Sequence, residues 1–298
     1  MRTGAVAVVV VCAAFVLAAG CAGVPGQGGQ TVVVGAKTFN EQYILAEMIA
    51  LLLGEEGYAT EVKANMNDAT LYEGIRKGQV DVYVEYTGTA YSQLLKLPQM
   101  TEWDPDTVYD EVKTGLDAEG VTVLSKVGFR DDYTVAVPEV WAGEKNVTTI
   151  SDLAPHAGEM VLGTDYVFPN REDGLPQLAK VYTFTFGEAR QMAPTLMYEA
   201  IKNGEVDAIT PYTTDTRVDL YKLRILEDEK SAFPPYHAII LANDRIAGDQ
   251  KATAALAVLS DRIDAEKMRQ LNYQFDVEKK DARQIARDYL VAEGLIAG

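Results

Sequence analysis

The chain has 298 residues, with 44 acidic against 27 basic side chains and a formal net charge of -17 at pH 7. So large a negative charge argues against a nucleic-acid partner and against electrostatic attachment to anionic lipid, because both surfaces are themselves negative. Hydrophobic residues make up 48% of the chain, which is enough to form a sizeable core, so a globular protein is expected.

The first 20 residues have the pattern of a secretory signal peptide. Arg2 gives a short positive start, and an uncharged apolar run follows over residues 5–19. This run is too short for a stable membrane span. It ends in Leu-Ala-Ala-Gly at residues 17–20 before Cys21, which resembles the bacterial lipoprotein box, where cleavage precedes the cysteine. An ordinary signal peptide followed by an incidental cysteine is the alternative.

Cys21 is the expected site of lipid attachment. Cys12 lies inside the signal peptide, so the exported chain keeps one cysteine and cannot form an internal disulfide. Residues 21–30 are rich in Gly, Pro and Gln, which predicts a flexible tether. Loss of Arg2 changes the net charge from -17 to -18, so attachment must come from the lipid. We therefore expect a protein anchored to the outer face of the cell membrane.

Strands and helices alternate along the exported chain. A β-branched run ending in glycine predicts a buried strand over residues 31–35, and apolar residues at helical spacing predict a helix over 41–53. Strands are expected at 60–64 and 80–85, with a helix at 69–77 between them. Later elements are strands at 121–125, 134–137 and 238–241, and a mostly helical part over 250–295. This alternation predicts an α/β fold with a largely parallel sheet.

The pattern occurs twice, at an offset of 126 to 128 residues. Residues 72–81 read YEGIRKGQVD and residues 198–207 read YEAIKNGEVD. Upstream, VVG at 33–35 corresponds to VLG at 161–163. The period is far too long for a solenoid, so it predicts two similar α/β lobes.

Each copy of the repeat continues into a Tyr-Thr pair, which begins at Tyr86 in the first and at Tyr212 in the second. Ligands of open α/β sheets bind beyond the carboxyl ends of the strands, where both tyrosines are predicted to lie. Tyr86 and Tyr212 are therefore expected to face one cleft between the lobes. Asp81 and Asp207, the last residues of the two repeated stretches, are expected to shape the turn from helix to strand.

The sequence offers little support for catalysis. It has no nucleophile elbow, phosphate loop, dinucleotide fingerprint or metal-ligand cluster, and its two histidines, His156 and His237, are far apart. No catalytic residue, cofactor or metal is expected, although carboxylate pairs leave a surface enzyme as an alternative. Tyrosine is abundant, with 16 residues. Aromatic faces suit a quaternary ammonium, which has no N–H to donate to a carboxylate.

Five segments resemble the substrate-binding proteins of osmoprotectant ABC importers, which take up glycine betaine, choline, carnitine and related compounds. They are GAKTFNEQ at 35–42, EYTGT at 85–89, REDG at 171–174, PYTTD at 211–215 and FPPY at 233–236. The resemblance implies the type II periplasmic-binding-protein fold, with a ligand cleft between two lobes. The chain would cross between lobes near Asp131 and Tyr236, so that residues 31–131 and 237–298 form one lobe and residues 132–236 the other.

The resemblance also implies the binding residues. Four tyrosines would form an aromatic cage around the trimethylammonium head, namely Tyr86, Tyr133, Tyr212 and Tyr236. Lys37, Thr89 and Arg171 match positions that hold a ligand carboxylate in betaine-binding members, since Arg suits bidentate recognition and Lys a point charge. Gln42 would add a polar contact. For Arg171, an interlobe or surface salt bridge is the alternative.

The implied function is capture of a quaternary-ammonium osmoprotectant by a monomeric, lipid-anchored protein that delivers it to an ABC permease and its ATPase. Ala36 and Asp132 depart from the small polar or amide residues common at these positions, which leaves the preferred ligand tail open. The alternative is a protein of the same fold for another small cation or an amino acid. Such a site would need inward-pointing carboxylates to accept N–H donors.

Overall fold

The structure, a computed structural model, describes Met1, residues 31–100 and residues 102–298. The predicted signal peptide and tether, including Cys21, lie outside the described residues. Residues 31–298 belong to one structural unit, which is described below. Among the described residues, no helix combines the length and the apolar character needed to span a bilayer.

The strands are numbered in chain order. They are β1 (Val32–Gly35), β2 (Thr60–Lys63), β3 (Val82–Tyr86), β4 (Val121–Arg130), β5 (Ala136–Pro138), β6 (Val161–Thr164), β7 (Glu188–Gln191), β8 (Ala208–Ile209), β9 (Leu223–Ile225) and β10 (His237–Asn243).

The α-helices are numbered in the same way. They are α1 (Asn40–Glu55), α2 (Asp68–Arg76), α3 (Thr87–Thr89), α4 (Pro105–Ala118), α5 (Glu139–Lys145), α6 (Leu175–Tyr182), α7 (Pro194–Lys202), α8 (Arg217–Leu220), α9 (Asp244–Ala247), α10 (Gln250–Ala257), α11 (Ala265–Asp276) and α12 (Ala282–Ala292). A π-helical turn, Ala90–Leu94, follows α3 directly.

The strands form two five-stranded sheets with equivalent orders, β2-β1-β3-β10-β4 and β7-β6-β8-β5-β9. In each sheet the first three strands run parallel, and β10 or β5 runs antiparallel to both of its neighbours. We call the parts built on these sheets the first and the second lobe. The predicted two-lobed α/β fold is confirmed, but the antiparallel strand in each sheet makes it less uniformly parallel than expected.

Asp81 and Asp207 perform the same structural task in the two lobes. Asp81 Oδ2 accepts the backbone N–H of Val33 at 2.7 Å, and Asp207 Oδ2 accepts that of Val161 at 2.8 Å. Asp81 stands just before β3 and ties it to β1, and Asp207 stands just before β8 and ties it to β6. The sequence repeat therefore reflects equivalent contacts between strands, and the predicted role of both residues in the turn from helix to strand stays a prediction.

Two segments connect the sheets, residues 131–135 between β4 and β5 and residues 226–236 between β9 and β10. They lie side by side: the Asp131 N–H donates to the Tyr236 carbonyl at 3.0 Å, and the Tyr236 N–H donates to Asp132 Oδ1 at 2.8 Å. We call this pair of segments the hinge. The strand partition agrees with crossings near Asp131 and Tyr236, and the lobe bounds drawn there remain a prediction.

Helix α1 brings the first lobe's contribution to the cleft. It is buried around most of its circumference, with Ile44, Met48 and Ile49 fully enclosed, because the later helices cover the side that faces away from the sheet. Arg283 of α12, for example, pairs with Glu47 of α1 at 2.6 Å. A helix so firmly held can keep its first turn in a defined place beside the ends of the strands.

Candidate ligand-binding site

A cavity of about 120 Å³ is lined by residues of both lobes and of the hinge. Six aromatic side chains contribute to its wall: Phe39, Tyr86, Tyr133, Tyr166, Tyr212 and Tyr236. Tyr166 is 60% exposed, so it belongs to the solvent side of the cavity. The other five rings are at least half-buried and form the inner wall.

These five rings form a continuous row. The ring centroid of Phe39 lies 6.1 Å from that of Tyr86 and 5.4 Å from that of Tyr212. The ring centroid of Tyr133 lies 5.5 Å from those of Tyr212 and Tyr236. Interplanar angles range from 28° to 80°, so the faces turn in different directions around the cavity. We call this set of five side chains the aromatic row.

The row unites the four predicted tyrosines and adds a residue that sequence reasoning missed. Phe39 immediately precedes α1 and lies between Tyr86 and Tyr212, which therefore face one cavity without direct ring contact. A signal for Phe39 was present, because it follows the carboxyl end of β1, and the rule that singled out Tyr86 applies equally there.

Carboxylates fix the tyrosine hydroxyls of the row. Tyr133 and Tyr212 both donate to Asp165 Oδ2, at 2.9 and 2.8 Å, and Tyr236 donates to Asp173 Oδ2 at 2.8 Å. Burial and these adjacent carboxylates raise the pKa of all three phenols well above its ordinary value, so they stay neutral. With the hydroxyls engaged in this way, the ring faces remain available to a cation.

Asp165 was not predicted as a site residue. It directly follows β6, lines the cavity and is 3% exposed. Its second oxygen, Oδ1, accepts the backbone N–H groups of Val167 and Phe168 at 2.8 and 2.7 Å. Four hydrogen bonds thus hold one carboxylate, which in turn holds two rings.

Gln42 lies directly behind Tyr86. Its Nε2 donates to the Tyr86 hydroxyl and to the Val84 carbonyl, each at 3.1 Å, and Glu41 accepts the Tyr86 hydroxyl hydrogen. Gln42 is buried and is absent from the cavity wall. It therefore positions Tyr86, and its polar contact with a ligand stays a prediction.

Lys37 lies in the wall among carboxylates. Its Nζ pairs with Glu85 and, at 2.9 Å, with Asp68 Oδ1, and stands 5.2 Å from the centre of the Tyr86 ring. Burial by itself would lower the pKa of Lys37, but the two carboxylates outweigh it and raise that pKa, so the ammonium stays charged.

Arg171 joins the lobes next to the aromatic row. Its guanidinium binds Asp173 through two hydrogen bonds of 2.9 and 2.7 Å, and Nη2 also donates to Thr89 Oγ1 across the cleft at 3.2 Å. Its Cζ lies 5.2 and 5.8 Å from the ring centres of Tyr133 and Tyr236. Thr89, Lys37 and Arg171 thus all line the cavity, and Arg171 also makes an interlobe contact with Thr89.

A hydroxyl between two carboxylates bridges the lobes behind the row. Thr214 Oγ1 lies 2.6 Å from Glu41 Oε2 and 2.8 Å from Asp131 Oδ1. One hydroxyl hydrogen serves one acceptor, so the second contact needs a proton on a carboxyl group. Burial, followed by mutual repulsion, raises the pKa of Asp131 well above its usual range, and burial raises that of Glu41. We therefore expect the three groups to share one proton.

Comparison with known proteins decides the family. Residues 30–292 match the family described as the substrate binding domain of the ABC-type glycine betaine transport system. The chain belongs to this family. Its members are substrate-binding transport proteins found outside the cytoplasm, so the protein is a substrate-binding component of an ABC importer of this type, which supports transport over catalysis. Neither described histidine lines the cavity.

Individual relatives cover most of this binding protein. It is 32% identical over 286 residues to a glycine-betaine-binding protein of Pseudomonas aeruginosa, with 91% of each chain covered. It is also 32% identical over 267 residues to the ergothioneine transport permease/ergothioneine binding protein EgtU of Helicobacter pylori. That match covers 89% of this chain and 48% of the relative, so the binding protein spans about half the relative's length.

A solved structure supports the same architecture. The crystal structure of a glycine betaine/carnitine/choline ABC transporter superimposes with a TM-score of 0.74 at 27% identity. The superposition covers 89% of this chain and 99% of the other. The two-lobed frame described above is therefore that of the osmoprotectant-binding proteins.

Proposed function

We propose that the binding protein captures a quaternary-ammonium compound by placing its methylated head against the aromatic row. The observation that carries this proposal is the continuous row of five rings, whose tyrosine hydroxyls are engaged by carboxylates. A trimethylammonium group cannot donate hydrogen bonds, so ring faces supply both its electrostatic and its apolar contacts. Each face contributes about 1–2 kcal/mol when water is excluded.

The size of the cavity supports a small solute. A volume of 120 Å³ equals the liquid volume of about four water molecules, so the cavity is of the size expected for a small solute. Glycine betaine, carnitine, choline and ergothioneine, the compounds named for its relatives, differ in their tails but share a trimethylammonium head. The shared head is the group that the aromatic row suits.

In this proposal the exported protein is a monomer, anchored through lipid on Cys21. Ligand in the cavity bridges the lobes, favours the closed arrangement and is handed to the permease, which its ATPase drives. Contacts that already cross the cleft, such as Arg171 to Thr89, support closure of the lobes around a ligand. The tether of residues 21–30 would leave the lobes free to meet the permease.

Titration calorimetry with a panel of solutes tests the ligand class. We expect binding of glycine betaine, choline, carnitine or ergothioneine, and much weaker binding of proline, which lacks the three methyl groups. Failure of every trimethylammonium compound to bind contradicts the proposal. Binding of arginine or a polyamine in their place would support the alternative, because Asp68, Asp131 and Asp165 in the wall can accept N–H donors.

The anchor has a separate test. Cells that express the full chain or its Cys21→Ala variant are labelled with a fatty acid and fractionated. We expect label and membrane association for the wild type, and neither for Cys21→Ala. Equal membrane association of the two proteins contradicts lipid attachment at Cys21 and leaves the ligand proposal unaffected.

A further inference from the structure

Asp68 is a carboxylate in the cavity wall that the predicted binding set does not contain. It is the first residue of α2, where the positive end of the helix favours a negative charge. Its Oδ1 lies 2.9 Å from Lys37 Nζ, and its Oδ2 lies 3.9 Å from Arg171 Nη1. Asp68 thus stands between the two cations expected to receive a ligand carboxylate.

Both cations are paired with carboxyl groups of the protein. Lys37 pairs with Glu85 as well as Asp68, and Arg171 forms its two-bond contact with Asp173. The two cations therefore lie among three carboxyl groups, those of Asp68, Glu85 and Asp173. A betaine carboxylate entering here meets two cations that already have carboxyl partners, in place of an open pair of cations.

Asp68 keeps its charge at neutral pH. Burial would raise the pKa of its carboxyl group, but Lys37 and Arg171 outweigh burial and lower that pKa. The side chain is also 26% exposed, because Asp68 and Arg171 together line an adjoining groove of about 640 Å³. Water in this groove can solvate the carboxylate, so proton uptake is not needed to relieve it.

We propose that Asp68 is a specificity-determining residue that disfavours a carboxylate tail, so that the cavity prefers quaternary-ammonium compounds with a neutral, hydrogen-bond-donating tail. An alcohol of the choline type has such a tail, and its hydroxyl can donate to Asp68. A carboxylate of the glycine betaine type must compete with Asp68 for Lys37 and Arg171. This inference rests on the proposed function and adds the charge of the ligand to it.

The test compares choline with glycine betaine on the wild type and on Asp68→Asn. We expect the wild type to bind choline about tenfold or more tightly than glycine betaine, and Asp68→Asn to shift the ratio of the two dissociation constants toward glycine betaine by about tenfold. Asp68→Glu, which retains the charge, should keep the preference for choline. Asp106→Asn removes a carboxylate from the first turn of α4, outside the cavity wall, and should leave the ratio unchanged.

The outcomes separate the two proposals. If glycine betaine binds the wild type more tightly than choline, or if Asp68→Asn leaves the ratio unchanged, the role of Asp68 is overturned while the proposed function stands. If neither compound nor any other trimethylammonium solute binds the wild type, the proposed function fails and this inference fails with it. Thermal unfolding of Asp68→Asn should match the wild type, which shows that the variant is folded.

Discussion

The ring of Tyr212 belongs to the aromatic row, and its hydroxyl donates a hydrogen bond to Asp165. Substitutions can separate the effects of the ring and of the hydroxyl on ligand binding. Tyr212→Ala removes a face worth about 1–2 kcal/mol and should weaken binding of the preferred ligand roughly five- to thirtyfold. Tyr212→Phe keeps the face and should lose much less, since Asp165 retains the Tyr133 hydroxyl and two backbone N–H groups. Titration calorimetry measures the ligand affinity of both variants.

Tyr221→Ala is a suitable control for these variants. Tyr221 belongs to the same lobe, but its hydroxyl contacts Glu199 and its ring is outside the cavity wall. Its removal should leave the affinity unchanged. Equal losses for Tyr212→Phe and Tyr212→Ala would mean that the hydroxyl carries the effect, which contradicts the role given to the ring faces.

The shared proton at Thr214 predicts a pH-dependent stability. Because the folded state raises the pKa of Asp131 and Glu41, it holds more protons than the unfolded chain above about pH 4. The stabilisation that protonated Asp131 and Glu41 give the folded state is fully present below the unfolded-state pKa, and it is lost as pH rises through the folded-state pKa. Each carboxyl group can change the free energy of unfolding by at most about 1.4 kcal/mol per pH unit.

Asp131→Asn should remove this dependence, because asparagine is neutral at every pH. The free energy of unfolding of the variant relative to the wild type should therefore increase as pH rises from about 4 to about 8. Urea denaturation of the ligand-free proteins across this range measures it. Glu41→Gln should change stability in the same direction, and the two changes should not add, since the groups share one proton. A difference that stays constant with pH would refute the shared proton.

At the scale of residues, the sequence predicted the rings better than the charged groups. Tyr86 and Tyr212 stand at repeated positions, so the repeat alone identified them. Asp165 follows β6 and could have been found by the same strand-end rule. Asp68 could not, because an acidic residue at the start of a helix is common for reasons of helix stability alone. Its role depends on where Lys37 and Arg171 lie in the folded chain.

The paired strands offer a matched experiment within one molecule. Asp81 and Asp207 tie equivalent strands, but Asp81 is buried and also accepts from Asn243 at 2.8 Å and pairs with Arg245, whereas Asp207 is exposed. Asp81→Ala should lower the free energy of unfolding by about 2–4 kcal/mol, because it leaves buried donors without a partner. Asp207→Ala should lower the free energy of unfolding by about 1 kcal/mol. Denaturant unfolding measures the loss of stability in each variant. Equal losses in the two variants would contradict the larger role given to Asp81.

At the scale of elements, strands with an apolar signature were predictable and others were not. Alternating strands and helices indicated β1, β2 and β3 with small errors at their ends. Strand β7 escaped prediction because all four of its residues are exposed and polar or small, and pairing with β6 holds it in the sheet. The antiparallel direction of β5 and β10 follows from the crossings between lobes, which local sequence does not encode.

Contacts across the cleft should set the balance between open and closed forms of the whole molecule. Asn272 of α11, in the first lobe, donates to the Thr214 carbonyl of the second lobe and to Glu41 Oε2, each at 3.2 Å. Asn272→Ala should favour the open form by about 1 kcal/mol and weaken ligand binding about fivefold, although it touches no cavity residue of the row.

Small-angle scattering and calorimetry together check this prediction. The ligand-free Asn272→Ala protein should have a larger radius of gyration than the wild type, and saturating ligand should restore compactness. Gln270→Ala changes an exposed residue of the same helix and should have neither effect. Weaker binding without any change in the ligand-free radius would contradict an effect on closure.

The hinge itself contains a residue of the aromatic row. Tyr236 pairs through its backbone with Asp131 and Asp132, and its ring packs so closely on Gly88 that a Cβ there would lie 2.5 Å from it. A substitution that reshapes the head-group end would therefore also disturb the pivot on which transport depends. Asp68 lies in α2, away from the hinge, although its contact with Arg171 also joins the two lobes. Substitutions of Tyr236 are therefore expected to change ligand affinity and lobe closure together.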